Sequence, residues 1–224
     1  MEKILILCSK DWFFREKKVK QFIKGNKVIV IKKKKDFNLT KLKKINPKYI
    51  FFPHWSFKIS NKILSKYKCI GFHTSNLPFG RGGSPIQNQI KRGIVDSKVC
   101  AFQITEKTDN GAIYLKKKIK LNGKLSEIFS KLSIIIIEMI KKICKVKIIP
   151  KPQLGKSNFF KRLTYLDNKI NFKKSLDKIY DQIRMVDDKT YKNSYYDLYK
   201  YRIEFFNVKF HKKILTVNAK IYPR

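Results

Sequence analysis

Four short apolar runs, at residues 3–8, 27–31, 48–52 and 69–73, recur along the first third of the chain with polar or amphipathic stretches between them. Runs of this length, rich in Ile, Val and Phe, read as strands buried on both faces, where no polar alternation is needed. Between the first two, residues 11–23 carry Phe14, Val19 and Phe22 at spacings that share one helical face, and residues 61–67 suit a shorter helix. Residues 32–35 are four consecutive lysines and read as a solvated loop. Strand alternating with helix predicts an α/β fold with an open, mostly parallel, Rossmann-like sheet and helices on its faces. No G-x-G-x-x-G follows the first run, so a dinucleotide site has no support.

The remainder divides by composition. A helix is expected over 84–92, strands over 99–105 and 112–119, and a long helix over 126–144, with Ser126 as its cap and Glu127 in its first turn. Ile149-Pro150-Lys151-Pro152 then interrupts regular structure. The expected organisation is a main unit at 1–150, a linker at 151–170 and a short C-terminal subdomain at 171–224. The subdomain would hold a helix at 176–184 and strands at 195–199, 201–206 and 213–217. A chain of 224 residues supports one substantial core and a small appendage.

The formal charge of +37 points toward polyanions. Only seven of the 53 basic residues are arginine, however, and the chain is rich in Lys, Ile, Asn, Phe and Tyr, the residues of A/T-rich codons. Readers of specific nucleic-acid sequence lean on the bidentate guanidinium, so much of this charge reads as genome composition. Cys8, Cys69, Cys100 and Cys144 are scattered in mostly apolar surroundings, without C-x-x-C or metal-ligand spacing. They suit a reduced, cytoplasmic protein with no metal. The first eight residues are too short and strand-like for a signal peptide, and no run approaches the length of a membrane span.

His73 closes the fourth apolar run, next to a loop rich in Pro and Gly, and Asp109 stands at another strand junction 36 positions later. A histidine at the carboxyl end of a strand in such a sheet lies where ligands bind. A carboxylate brought to the same edge can orient the imidazole and hold it charged. Against this, a histidine before a turn is equally a polar loop residue, and Asp109-Asn110-Gly111 is a strong turn sequence in its own right.

The order of segments adds to these single features. His73-Thr74-Ser75-Asn76-Leu77-Pro78, then Arg81-Gly82, then Pro85-Ile86-Gln87, resembles the H-x-S-x-L-P…R-G…P-I-Q signature of folate-dependent formyltransferases. That family includes methionyl-tRNA formyltransferases and sugar N-formyltransferases. Thr108 to Tyr114 resembles its D-x-G-x-I segment, and Pro152-Gln153 with Phe159-Phe160-Lys161 its P-Q linker. The resemblance implies a donor, 10-formyltetrahydrofolate, and a primary-amine acceptor.

It further implies that His73 holds the formyl carbonyl and that Asp109 orients it and assists proton removal. His54 and Trp55 become candidates for lining the folate pocket, and Ser75, Arg81, Gly82 and Asn110 for contacts to donor or acceptor. Of acceptors, a nucleotide-linked amino sugar fits the short tail, since family members that act on tRNA carry a larger C-terminal barrel. Methionyl-tRNA fits the charge. A basic nucleic-acid-binding homologue with impaired catalysis is the alternative of another class. One position departs from the family, which has Asn two residues before the histidine, where this chain has Gly71. Ser75, Asn110 or a backbone amide is then the candidate to replace that donor.

Overall fold

The structure is a computed structural model describing residues 3–26 and 28–224. Met1 and Glu2, in the segment read above as too short for a signal peptide, and Lys27, the start of the predicted 27–31 strand, lie outside the described residues. In chain order the first elements are β1 (Ile4–Cys8), α1 (Lys17–Gly25), β2 (Ile29–Ile31), α2 (Leu39–Ile45), β3 (Tyr49–His54), α3 (Asn61–Leu64) and β4 (Cys69–His73). They are followed by β5 (Arg81–Gly82), α4 (Pro85–Lys91), β6 (Asp96–Gln103), β7 (Ile113–Lys120) and α5 (Leu125–Lys145). Six of these strands form one sheet in the order β2-β1-β3-β4-β6-β7. The first four run parallel, and β6 and β7 are antiparallel to their neighbours.

Side chains on a strand alternate between faces, and the core follows that rule. Ile6, Cys8 and Phe51 join one cluster, whose other walls are Trp12, Phe13, α1, α4 and α5. Leu5, Leu7, Ile50 and Phe52 point the other way, against α2 and α3. Helix α5 closes the first face with Ile128, Leu132, Ile136, Ile140 and Ile143, all buried.

Three local expectations are corrected. The helix predicted over 11–23 is split into a 3₁₀ turn at Asp11–Phe14, which buries Trp12 and Phe13, and the separate helix α1. The lysine run is partly a 3₁₀ turn at Lys34–Asp36, and it leads into α2, which had no counterpart in the sequence reading. There the Asn38 side chain accepts the Lys41 N–H at 2.9 Å, while Leu42 and Ile45 are buried. Helix α5 begins one residue before Ser126. Its start is held by the Glu127 carboxylate, which accepts the Lys124 N–H at 3.0 Å, and the Ser126 N–H is committed to the Asp187 carbonyl.

Beyond α5 come β8 (Phe159–Phe160), a 3₁₀ turn at Tyr165–Asn168, α6 (Leu176–Arg184), β9 (Ser194–Leu198), β10 (Tyr201–His211) and β11 (Ile214–Pro223). The last three form an antiparallel sheet with β10 central, and α6 packs Ile179 and Ile183 against Val208 of β10. Strands β10 and β11 outrun the predicted pieces; the far end of β11 is solvated, whereas that of β10 buries Val208. Met185 and Val186 enter the main core. Beside them, the Arg184 guanidinium donates to the Leu121 and Gly123 carbonyls at 2.6 and 2.9 Å. Arg15 makes a two-pronged ion pair with the buried Asp188. Among the described residues no helix is long and apolar enough to cross a membrane.

Candidate active site

His73 ends β4 with its imidazole buried. Its Nε2 lies 2.7 Å from the Gly80 carbonyl, and because a carbonyl only accepts, Nε2 carries the proton. Nδ1 faces Asp109 Oδ2 at 3.5 Å. The two residues therefore converge, though not as strand ends at one edge, the arrangement expected from the sequence. The register pairs Gln103 at the end of β6 with Ile70 near the start of β4, so the β6–β7 hairpin departs from the opposite end. It doubles back over the sheet to bring Asp109 to His73. At the fold Gly111 comes so close that a Cβ there would sit 1.7 Å from the Gln103 carbonyl oxygen, a contact only glycine escapes. Asp109 itself holds a left-handed backbone, φ +49, a conformation Asp tolerates better than most residues.

The loop after His73 wraps around the imidazole. Leu77-Pro78 is a cis peptide. Ser75 donates its hydroxyl to the Phe79 carbonyl at 2.7 Å. The Gly80 N–H donates to Asn158 Oδ1 at 2.5 Å, and the Gly82 N–H donates to Asp109 Oδ2 at 2.9 Å. Gly82 has φ +96, and a Cβ there would stand 2.7 Å from the Phe160 carbonyl. Arg81 directs Nε and Nη2 to Gln153 Oε1, at 3.2 and 2.7 Å, so the structure ties it to a protein partner. β5 pairs with β8 in parallel, which joins this loop to the segment after α5.

Gly71 sits between Phe52 and Phe102 in the sheet register. A Cβ at Gly71 would meet the Phe102 ring at 2.8 Å and Ile104 Cγ1 at 3.1 Å, so the ring fills the space that a side chain here would take. Asn110, adjacent to Asp109, is exposed. Gly71→Asn is expected to cost about 1–3 kcal/mol through overpacking. Combined with Phe102→Leu it should cost less than the two single changes added together, which urea melts of all three variants would read. A cost equal to the sum would mean that the ring does not stand in the way.

His54 ends β3 and Trp55 follows it. Burial pushes His54 down to about 4, and the Lys10 and Arg162 cations add to the shift. The ring is therefore neutral at pH 7. Unfolded, it takes its proton near 6.5, so the unfolded chain binds more protons between pH 6.5 and 4. Stability should be full above that window and fall as pH drops through it, by on the order of 3 kcal/mol. Comparing denaturant midpoints from pH 7 to 4 for the parent and His54→Gln tests this, since the variant should have the shallower decline. Trp55 packs among Phe37, Phe52 and Phe57, with centroids 5.8, 6.4 and 5.2 Å away, and its indole N–H is buried without a partner. The aromatic wall and the orphaned donor suit a flat heteroaromatic ring.

The sequence reading did not single out Asn158, nor any role for Gln153 beyond its part in the Pro-Gln motif. Gln153 Nε2 donates to the Asp109 and Gly111 carbonyls at 2.8 and 2.9 Å. Among the described residues no cluster of His, Cys, Asp and Glu is arranged to hold a metal ion. Burial pushes the Cys8 and Cys69 thiols up to about 12.

Residues 3–127 match the family model described as formyl transferase, and residues 166–222 match that of the methionyl-tRNA formyltransferase C-terminal domain. A curated methionyl-tRNA formyltransferase from Thermodesulfovibrio yellowstonii is 35% identical over 161 residues, covering 68% of this chain and 52% of that protein. The chain spans about half the length of the curated relatives it matches. Among solved structures, a methionyl-tRNA formyltransferase from Clostridium thermocellum superposes with a TM-score of 0.95 at 35% identity, over 100% of both chains. A sugar N-formyltransferase from Shewanella sp. shares the fold at 14% identity, with a TM-score of 0.67 over 89% of this chain and 94% of that one.

Proposed function

The chain belongs to the formyl transferase family, and on that premise we propose that it moves a formyl group from 10-formyltetrahydrofolate to the amine of methionyl-tRNA. The observation that carries the acceptor is the likeness, along the whole of both chains and at 35% identity, to a solved protein named for that reaction. It replaces the amino sugar favoured by the sequence reading, whose main support was the short tail. A protein named for methionyl-tRNA matches this chain from end to end, so length no longer separates the two acceptors. The formal charge of +37 supports a polyanionic acceptor as well.

In this reading His73 offers Nε2–H to the formyl oxygen as charge develops there, exchanging the Gly80 carbonyl for it. Asp109, facing Nδ1, takes up, directly or through a water, the proton that the attacking amine sheds. As the new carbon–nitrogen bond forms, the bond to the folate nitrogen breaks, and that nitrogen gains the proton. Trp55 and the phenylalanines around it supply an apolar wall for the pterin.

A second reading, a basic nucleic-acid binder with impaired catalysis, is favoured by Gly71 alone. One assay separates the possibilities. The protein is incubated with 10-formyltetrahydrofolate and either methionyl-tRNA or nucleotide-linked amino sugars, and products are weighed by mass spectrometry. A formyl gain on methionyl-tRNA supports the proposal, and a gain on a sugar alone replaces the acceptor. Salt-sensitive tRNA binding with no transfer to any acceptor would favour the binder.

A further inference from the structure

All four hydrogen-bonding positions of the Gln153 carboxamide are used. Oε1 accepts twice from Arg81, and Nε2 donates to the carbonyls of Asp109 and Gly111. Those carbonyls flank Asn110 at the tip of the doubled-back hairpin. That hairpin leaves β6 at the end of β4 remote from His73, so nothing in the sheet pairing itself holds Asp109 against the imidazole. Asp109 also holds a left-handed backbone, a conformation that its surroundings must keep in place. Arg81 sits in the His73 loop, next to Gly82, whose N–H reaches the Asp109 carboxylate. One side chain thus joins the loop that carries the acceptor of the His73 proton to the hairpin that carries Asp109.

We infer that Gln153 is a positioning residue for the reaction proposed above, holding the Asp109 carboxylate against His73 by clamping the hairpin to the loop through Arg81. The inference rests on that reading only for its kinetic consequence; the clamp itself is a statement about geometry. A carboxylate at 153 would keep the Arg81 contacts but turn acceptors toward the two carbonyls, so Gln153→Glu should fail much as Gln153→Leu does. An isosteric side chain is therefore required, not merely a polar one.

The test uses the full chain and two readouts. The first is hydrogen exchange at the Gly82 amide, which reports the bond to Asp109, with amides in α4 as the internal control. The second is steady-state kinetics with whichever acceptor the wild type formylates. In Gln153→Leu and Gln153→Glu the Gly82 amide should exchange at least tenfold faster while α4 amides are unchanged. Alongside this, kcat should fall ten- to a hundredfold and the KM for the folate donor should stay within about twofold. Unchanged Gly82 exchange overturns the clamp, whether or not the protein proves to be an enzyme. Faster exchange with wild-type kcat overturns the positioning role. A wild type that formylates nothing sinks the functional reading, and Gly82 exchange then decides the clamp alone.

Discussion

Replacing His73 by alanine is expected to lower kcat by roughly two to four orders of magnitude, the usual span for a positioned acid–base group, with little change in the KM for either substrate. The side chain is 6% exposed and its two nitrogens meet Gly80 and Asp109, so no other imidazole can take over. His54, the nearest alternative along this sheet edge, leaves β3 with its ring against Trp12, at 6.0 Å between centroids. The loss should be separable from unfolding. The loop retains Ser75, Asn158 and the β5–β8 pairing, so circular dichroism and the denaturant midpoint should change far less than the rate. Single-turnover formylation of the preferred acceptor by parent and variant is the measurement. A variant within threefold of the parent would remove His73 from the chemistry.

Asp188→Ala is expected to destabilise the fold by about 3–5 kcal/mol, because it strands a charged partner of a buried pair. For a chain of this size that corresponds to a fall in Tm of roughly 6–20 °C. Asp188 has 1% of its side chain exposed and takes both Arg15 amines, while Thr190 adds its N–H at 2.8 Å and its hydroxyl at 2.6 Å. Burial alone would raise the carboxyl. The bonds from Arg15 and Thr190 outweigh that and hold it below the ordinary carboxylate value. The sign follows directly: this contribution is complete above the unfolded carboxylate value near 3.9 and disappears as pH falls through the lower folded one. Differential scanning calorimetry at pH 7 reads the main effect. A shift of only a degree or two would mean that the pair is replaceable by solvent.

The parts of this architecture that follow short-range rules are legible in the chain. Strand 69–73 is bounded as its apolar run is, because a strand buried on both faces announces itself by composition. His73 and Asp109 stand out by motif. What a one-dimensional reading misses is decided by distant backbone. Helix α2 hides in a lysine-rich stretch whose buried positions are few, and its cap is an asparagine that reads equally as a turn. The folded-back hairpin is invisible because sheet register, not local propensity, sets which end of β4 it leaves from. Gln153 is missed as a contributor since each of its partners lies more than forty positions away, three of its four bonds spanning 72 or 44 residues. Gly71 is legible as a departure, whereas Phe102 as the occupant of the vacated space is not.

The segment after α5 reads by composition as a spacer. In the fold Lys151 pairs with Ile113, Gln153 grips the hairpin, Asn158 seats Gly80, and Phe160 bonds Gly83 while stacking edge-on against Phe79. Residues 151–160 are thus packed against the unit that composition closes at residue 150. A fragment ending there would keep every residue that the family motif marks around His73 and Asp109, yet lose one wall of their enclosure. On the function proposed above, the reaction would draw on both halves of the chain, and a tail exchanged between relatives would have to carry residues 151–163 with it.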